Sequence, residues 1–369
     1  MAEKRKRGEG KKTGLAKVRG KGAKGGERAV RAVKPGGAIA LTGVNTFLGR
    51  SLVALLERSP RWRRIVAIDL RNADTAGPKT RFYKVDLTQP AVDAQIAEVL
   101  HAEKVDTVVH GAFLGVPSHA TAWAHELESA GTMHVVGACE EHRVRKLVLW
   151  SHTMLYGARA ENPMYMGEDH PLRGHRTWSF IGDKLDAERQ VADFAERLPA
   201  TVVTVMRTAP VVGPIARNIV TDMLRWRTVP VVLGHDPLVQ LVHELDVVAA
   251  FRLAIDEDHP GAFNVVAPGV LPLSSLIRLA GRLDVALPYA LARGVLQVLF
   301  SSRVVRVSPD VLDYMRYPFV ASGARAREVL GFRASYTTRE ALEDFVRHLR
   351  QKTHRSAIVA TTLAADRRP

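Results

Sequence analysis

The stretch "ALTGVNTFLGRSLV", residues 40–53, decides how the rest of the chain is read. It opens with apolar residues that run into Thr42-Gly43. From Phe47 onward, apolar side chains return every three to four residues, the spacing of a helix. A strand that turns tightly into a helix presents unpaired backbone N–H groups at the helix start, and such groups receive phosphate oxygens well. Gly43 permits the turn. Gly49 removes a side chain where helix and strand approach. Thr46, Phe47, Leu48 and Gly49 are therefore the expected pyrophosphate cradle.

The segments that follow extend this reading. "RRIVAIDL" is a second strand ending near Asp69, whose carboxylate suits the two hydroxyls of an adenosine ribose and disfavours a 2′-phosphate. NAD is accordingly expected over NADP, although Arg71 nearby weakens that preference. "RFYKVDL" is a third strand closing on Asp86 and Leu87, with Asp86 placed for the adenine amino group. A lone glycine turn is common, and Asp69 alone could cap a helix. Their order on successive strands is what favours a nucleotide.

Further along, "VDTVVHGAF", "RKLVLWSH" and "TVVTVMRT" read as buried strands. Helices are expected over about 91–101, 121–142 and 178–197. Continuous apolar strands separated by helices predict an α/β fold, a doubly wound parallel sheet of the Rossmann type covered on both faces. After "VVGP" the rhythm loosens into small strands and helices near 273–280, 288–300, 309–315, 323–330 and 337–350. The expected organisation is a basic tail over 1–36 and a mainly nucleotide-binding domain over 37–210. A mainly substrate-binding region over 211–350 returns some segments to the first domain, and 351–369 is a loose terminus.

The net charge of +15 over 369 residues resembles a nucleic-acid signal until it is located. Residues 1–36 hold 13 Lys/Arg against 3 Glu, so the tail carries +10 and the remaining 333 residues only +5. The tail is Gly-rich, nearly free of large apolar side chains and expected to be disordered. It lacks the aromatic residues that stack on bases, so weak polyanion contact is expected there and no specific nucleic-acid partner. The single cysteine, Cys139, excludes an internal disulfide framework, and no histidine spacing suggests a metal site. No secretory signal is visible, and "VALPYALARGVLQVLF" at 285–300 is short of a bilayer span, so a cytoplasmic location is expected.

From about residue 38 to 350 the chain is similar to the NAD-dependent epimerase/dehydratase family, the extended branch of short-chain dehydrogenases. The resemblance rests on "TG…G", "VVHGAF" at 108–113, "SAGTMHVVGACEE" at 129–141 and "LYG" at 155–157. It continues in "VMRTAPVVGP" at 205–214, "QLVHELDVVAAF" at 240–251 and "GAFNVV" at 261–266. It implies NAD across the strand ends and a smaller, mostly C-terminal substrate domain. The implied substrate is a small molecule, either a nucleotide sugar or another hydroxyl or carbonyl compound. Homodimerisation is also implied, through the helices near 121–142 and 178–198.

Departures from the family pattern fall at four positions. Thr46 stands where the fingerprint has its middle glycine, and Glu128 where an asparagine is frequent. His152, flanked by Ser151 and Thr153, occupies the usual Ser/Thr position. The family Tyr-x-x-x-Lys becomes Phe180-x-x-x-Lys184. Phenylalanine has no exchangeable proton, so it cannot replace tyrosine as acid/base. His152 is the first candidate for that role, with Ser151, Thr153, Tyr156 and Tyr165 behind it. Lys184 is expected to hold the nicotinamide ribose. One reading is an oxidoreductase, epimerase or dehydratase with rearranged acid/base groups, and the other a catalytically silent NAD(P)-binding or regulatory protein.

Overall fold

The computed structural model describes residues 36–365, with side chains to residue 351. The expected disordered tail, apart from Gly36, and the side chains of the expected loose terminus beyond residue 351 lie outside the described residues. Seven parallel strands form the central sheet. Six are β1 (Gly37–Thr42), β2 (Trp62–Asp69), β3 (Thr80–Lys84), β4 (Val105–His110), β5 (Lys146–His152) and β6 (Val202–Thr208), and the seventh is Gly261–Val265. Their spatial order is Gly261–Val265, β6, β5, β4, β1, β2, β3.

That order has a physical consequence. The chain winds outward from β1 through β2 to β3, then returns to place β4 on the other side of β1. Loops leaving β1 and β4 therefore diverge and open a crevice at the strand ends, where ligands sit in open α/β sheets. The strands are continuous apolar runs because both sheet faces are covered. One face packs on α1 (Phe47–Arg58) and on the helix Glu244–Asp256, the other on α2 (Val92–Ala102), α4 (Gly131–His142) and α5 (Ser179–Arg197).

The helix expected over 121–142 is one helical run with an interruption. Between α3 (Thr121–His125) and α4, residues Glu126–Ala130 form a wide π turn. Such turns insert one residue and re-aim the side chains around it, which is why they recur at functional sites. Here Glu128 and Ser129 are buried within the turn.

The region after β6 contains a parallel pair, Thr228–Val232 with Leu283–Leu287, and helices Leu273–Leu279 and Tyr289–Ser301. A separate apolar cluster, including Leu224, Val231, Leu276 and Phe345, holds it together. The helix expected to end near 350 continues as Thr338–Ala365. No helix of the described residues is long and apolar enough to cross a membrane.

Candidate active site

The turn after β1 is built to keep side chains away. Gly43 has φ +72, and a Cβ there would lie 2.5 Å from the Gly111 carbonyl oxygen and 2.7 Å from the Ala112 Cα. At Gly49 a Cβ would lie 2.6 Å from the Val44 Cα. Both contacts are with backbone, which cannot step aside. Thr46 caps α1: its hydroxyl accepts from Gly49 N–H at 3.0 Å and donates to the Gly43 carbonyl at 2.8 Å. The threonine hydroxyl thus braces the turn and takes one helix-start donor, leaving the Phe47 and Leu48 N–H groups ahead of the first intrahelical bond.

Asp69 stands at the end of β2 beside this turn. Its carboxylate accepts from the Asn45 N–H at 3.1 Å and the Leu70 N–H at 2.6 Å. Two carboxylate oxygens offer about four acceptor sites, so capacity for ribose hydroxyls remains. Asp86 accepts from the Thr88 N–H at 3.0 Å and the Thr88 hydroxyl at 2.8 Å. Partial burial opposes ionisation, but these bonds and one from Gln89 hold its carboxyl below the usual range. Leu87 is buried in the core beside it.

His110, at the end of β4, is committed to the fold. Its Nδ1 lies 2.6 Å from the Thr42 hydroxyl and its Nε2 2.9 Å from the Thr132 hydroxyl, which itself donates to the Glu128 carbonyl at 2.5 Å. Burial holds its pKa down at about 3. Between roughly pH 6.5 and 3 the unfolded chain therefore binds a proton that the folded chain refuses. Acid over this window should lower stability by up to about 1.4 kcal/mol per pH unit for this residue. His110→Gln should flatten the slope in unfolding measured against pH.

Beyond the crevice, a small pocket is lined by Phe47, Trp150, His152, Phe180, Lys184 and Thr208, among others. Neither Ser151 nor Thr153 lines it. Adjacent residues on a strand face opposite ways, so Trp150 and His152 turn into the pocket while Ser151 turns to the other face. There its hydroxyl donates to Glu188, which also binds Arg207. Arg207 donates to the Tyr156 hydroxyl at 2.9 Å, and Tyr156 to Asn264 at 2.8 Å. Tyr156 is thus locked inside the core, and Tyr165 is half exposed.

The Lys184 charge is paired in a way the spacing does not reveal. Lys184 Nζ lies 2.8 and 2.7 Å from the two Glu128 oxygens and 3.8 Å from the centre of the Phe180 ring. Glu128 is 1% exposed and Lys184 3%. Burial raises the Glu128 pKa and lowers that of Lys184, and each charge is what keeps the other ionised. The expected ribose contact therefore competes with Glu128 for the same ammonium. The His152 Nε2 is buried without a hydrogen-bond partner. Burial first, and the Lys184 charge second, depress its pKa to about 3, so its imidazole is neutral near neutrality.

His243, Glu244 and Asp246 have structural work: His243 caps the helix through the Leu245 N–H, Glu244 accepts from Ile215 and Ala216, and Asp246 accepts from Ser335 and Tyr336. Among the described residues, no group of three or more His, Cys, Asp or Glu could hold a metal ion.

The model of the NAD dependent epimerase/dehydratase family matches residues 39–266. The chain belongs to this family. A relative in Mycobacterium tuberculosis, described only as an uncharacterised protein, is 31% identical over 316 residues, covering 84% of this chain and 83% of its own. The same figures hold for a Mycobacterium bovis protein. Among solved structures, MoeE5 in complex with UDP-glucuronic acid and NAD has a TM-score of 0.65 at 23% identity, over 86% of this chain and all of that one. The UDP-glucose 4-epimerase of Thermotoga maritima with UDP-glucose also has a TM-score of 0.65, at 17% identity, over 86% of this chain and 99% of that one. These two share the fold. Within the family fold, the crevice at Gly43, Gly49 and Asp69 and the pocket at His152, Phe180 and Lys184 lie along the ends of the same parallel strands.

Proposed function

We propose that this chain is an NAD-dependent oxidoreductase or epimerase-like enzyme whose proton-handling group is His152 rather than a tyrosine. The residues fit the cofactor: the Gly43–Gly49 turn leaves backbone space that any Cβ would fill, and Asp69 supplies a ribose acceptor. Phe47 and Leu48 offer N–H groups to the pyrophosphate, and Asp86 lies on the adenine side. Bound NAD would supply the hydride acceptor and donor.

The observation that carries the reading is the unpartnered, buried Nε2 of His152 in the pocket that also holds Phe180 and Lys184. A buried nitrogen without a partner costs about 1–3 kcal/mol, a cost that a substrate hydroxyl would remove. Neutral imidazole accepts a hydrogen bond from that hydroxyl and then its proton. Burial holds its pKa at about 3, so it is a weak base, and proton transfer to it requires the substrate hydroxyl to lose hydride to NAD in the same step. Lys184 adds positive potential, and Glu128 sets its position. Phe180 has no proton to exchange and supplies an apolar wall under the ammonium. The substrate is a hydroxyl- or carbonyl-bearing small molecule. Nucleotide sugars are the class suggested by the ligands of the structures sharing this fold.

A second reading has its own support. The Glu128–Lys184 pair spends the one cation of the pocket's Phe-x-x-x-Lys motif, which favours a protein that binds NAD without turning over. Single-turnover hydride transfer separates the two. The enzyme reading expects NADH to form from enzyme-bound NAD with at least one member of a panel of sugars, alcohols and nucleotide sugars. NAD binding with no transfer across the panel would favour the silent reading.

A further inference from the structure

Beside the reaction pocket lies a larger cavity of about 450 Å³, within the range of roughly 300–1,000 Å³ typical of small-molecule sites. Met154 and Ile219 line both spaces, so the two are neighbours that meet at these side chains. The larger one is lined mainly by hydrocarbon, as at Met223, Leu276, Leu296, Val307 and Phe319. Its polar side chains are already engaged or peripheral. Asp222 and Arg225 pair with each other at 2.7 Å, Tyr314 donates its hydroxyl to the Met154 carbonyl at 2.8 Å, and Arg306 is exposed.

A nucleoside diphosphate brings two phosphates that need cations or oriented donors, and burying them without partners is costly. A hydrocarbon body asks only for apolar contact, at a gain of about 0.8 kcal/mol per buried methylene. The approach to the cavity is apolar too. Trp226 and Val304, both lining residues, are 46% and 69% exposed. Helix Tyr289–Ser301 contributes Leu296 to the cavity and exposes Leu291, Val295 and Val298 outside it.

Building on the NAD-dependent reading above, we propose that this cavity holds the hydrocarbon body of an apolar alcohol or ketone substrate, with its oxygen function directed toward His152. Among hydroxyl and carbonyl compounds, this selects the apolar class over the nucleotide sugars.

The test is calorimetric titration of the full chain with NAD, and of the NAD-saturated chain with dodecan-1-ol and with uridine diphosphate as separate probes. The alcohol should bind at least roughly tenfold more tightly than uridine diphosphate. Met223→Glu and Val307→Asp, which place a carboxylate in the cavity wall, should each weaken the alcohol at least roughly tenfold while NAD affinity and the thermal transition stay near the parent's. Two variants guard against one that misfolds. Tighter uridine diphosphate binding, alcohol binding indifferent to both variants, or no alcohol binding to a chain that binds NAD would each overturn the proposal. A parent chain that binds no NAD would instead refute the proposed function, a result the first titration reads separately.

Discussion

Glu128→Ala should lower the unfolding free energy by about 3–5 kcal/mol, because it leaves the Lys184 ammonium buried without its counter-charge. Both side chains are almost wholly enclosed, with Nζ 2.7 Å from the nearer Glu128 oxygen. Coulomb attraction in such a setting roughly offsets the desolvation of two charges, so the intact pair contributes little net stability. Removing one member leaves the desolvation of the other unrelieved. Lys184→Ala should cost a similar amount for the mirror-image reason. Replacing both with apolar residues of similar size, Glu128→Leu with Lys184→Met, should recover most of the loss, since hydrocarbon needs no partner. Urea unfolding of the parent, the two alanine variants and the Glu128→Ala with Lys184→Ala double completes a double-mutant cycle, and the Leu/Met variant is measured beside it. A Glu128→Ala cost below about 1 kcal/mol, or a double variant as unstable as the sum of the singles, would show that the pair is solvated or loosely held.

The second large effect is on chemistry. His152→Ala should reduce hydride transfer by about 10²–10⁴-fold, the usual contribution of a positioned acid/base, while changing NAD affinity little. The pocket wall survives the change, because Trp150, Phe180 and Thr208 still line it. Phe180→Tyr probes the same space from the other side. Its new hydroxyl would enter a pocket where Lys184 lies 3.8 Å above the ring, a position from which the ammonium can stabilise a phenolate. If that hydroxyl reaches the substrate, the double variant His152→Ala with Phe180→Tyr regains part of the lost rate. Undiminished transfer in His152→Ala would remove the proton role from this residue. Ser151 is no ready substitute, because its hydroxyl is already given to Glu188 on the opposite sheet face.

The parallel sheet was legible because its signals are local. β1, β4 and β5 are short apolar runs, and the turn at Gly43 and the acid at Asp69 follow their strands directly. The pocket at His152, Phe180 and Lys184 depends on separations that one sequence does not display. Glu128 and Lys184 are 56 residues apart, and they meet because a π turn redirects one and α5 presents the other. The only trace in the sequence is joint: a carboxylate where the family often has an amide, in a chain that also has phenylalanine in place of tyrosine. Strand alternation, which is readable in the sequence, already keeps Ser151 and His152 from facing one pocket. Tyr156 is held by Arg207 and Asn264, which lie 51 and 108 residues away in sequence. Such partners come from tertiary packing and leave no periodicity to read. The two-residue strands Val211–Val212 and Val242–His243, which pair only with each other, are likewise too short to carry a pattern.

The functional reading depends on the cofactor occupying the crevice between β1 and β4 in the orientation that Asp69 specifies. Calorimetric titration of the parent and of Asp69→Ala with NAD and NADP tests this most directly. The parent should bind NAD about tenfold or more tightly than NADP. Asp69→Ala should lose NAD affinity while losing less, or even gaining, for NADP, because the substitution removes a ribose acceptor and a repulsive charge together. Equal losses for the two cofactors, or no nucleotide binding by the parent, would contradict the account.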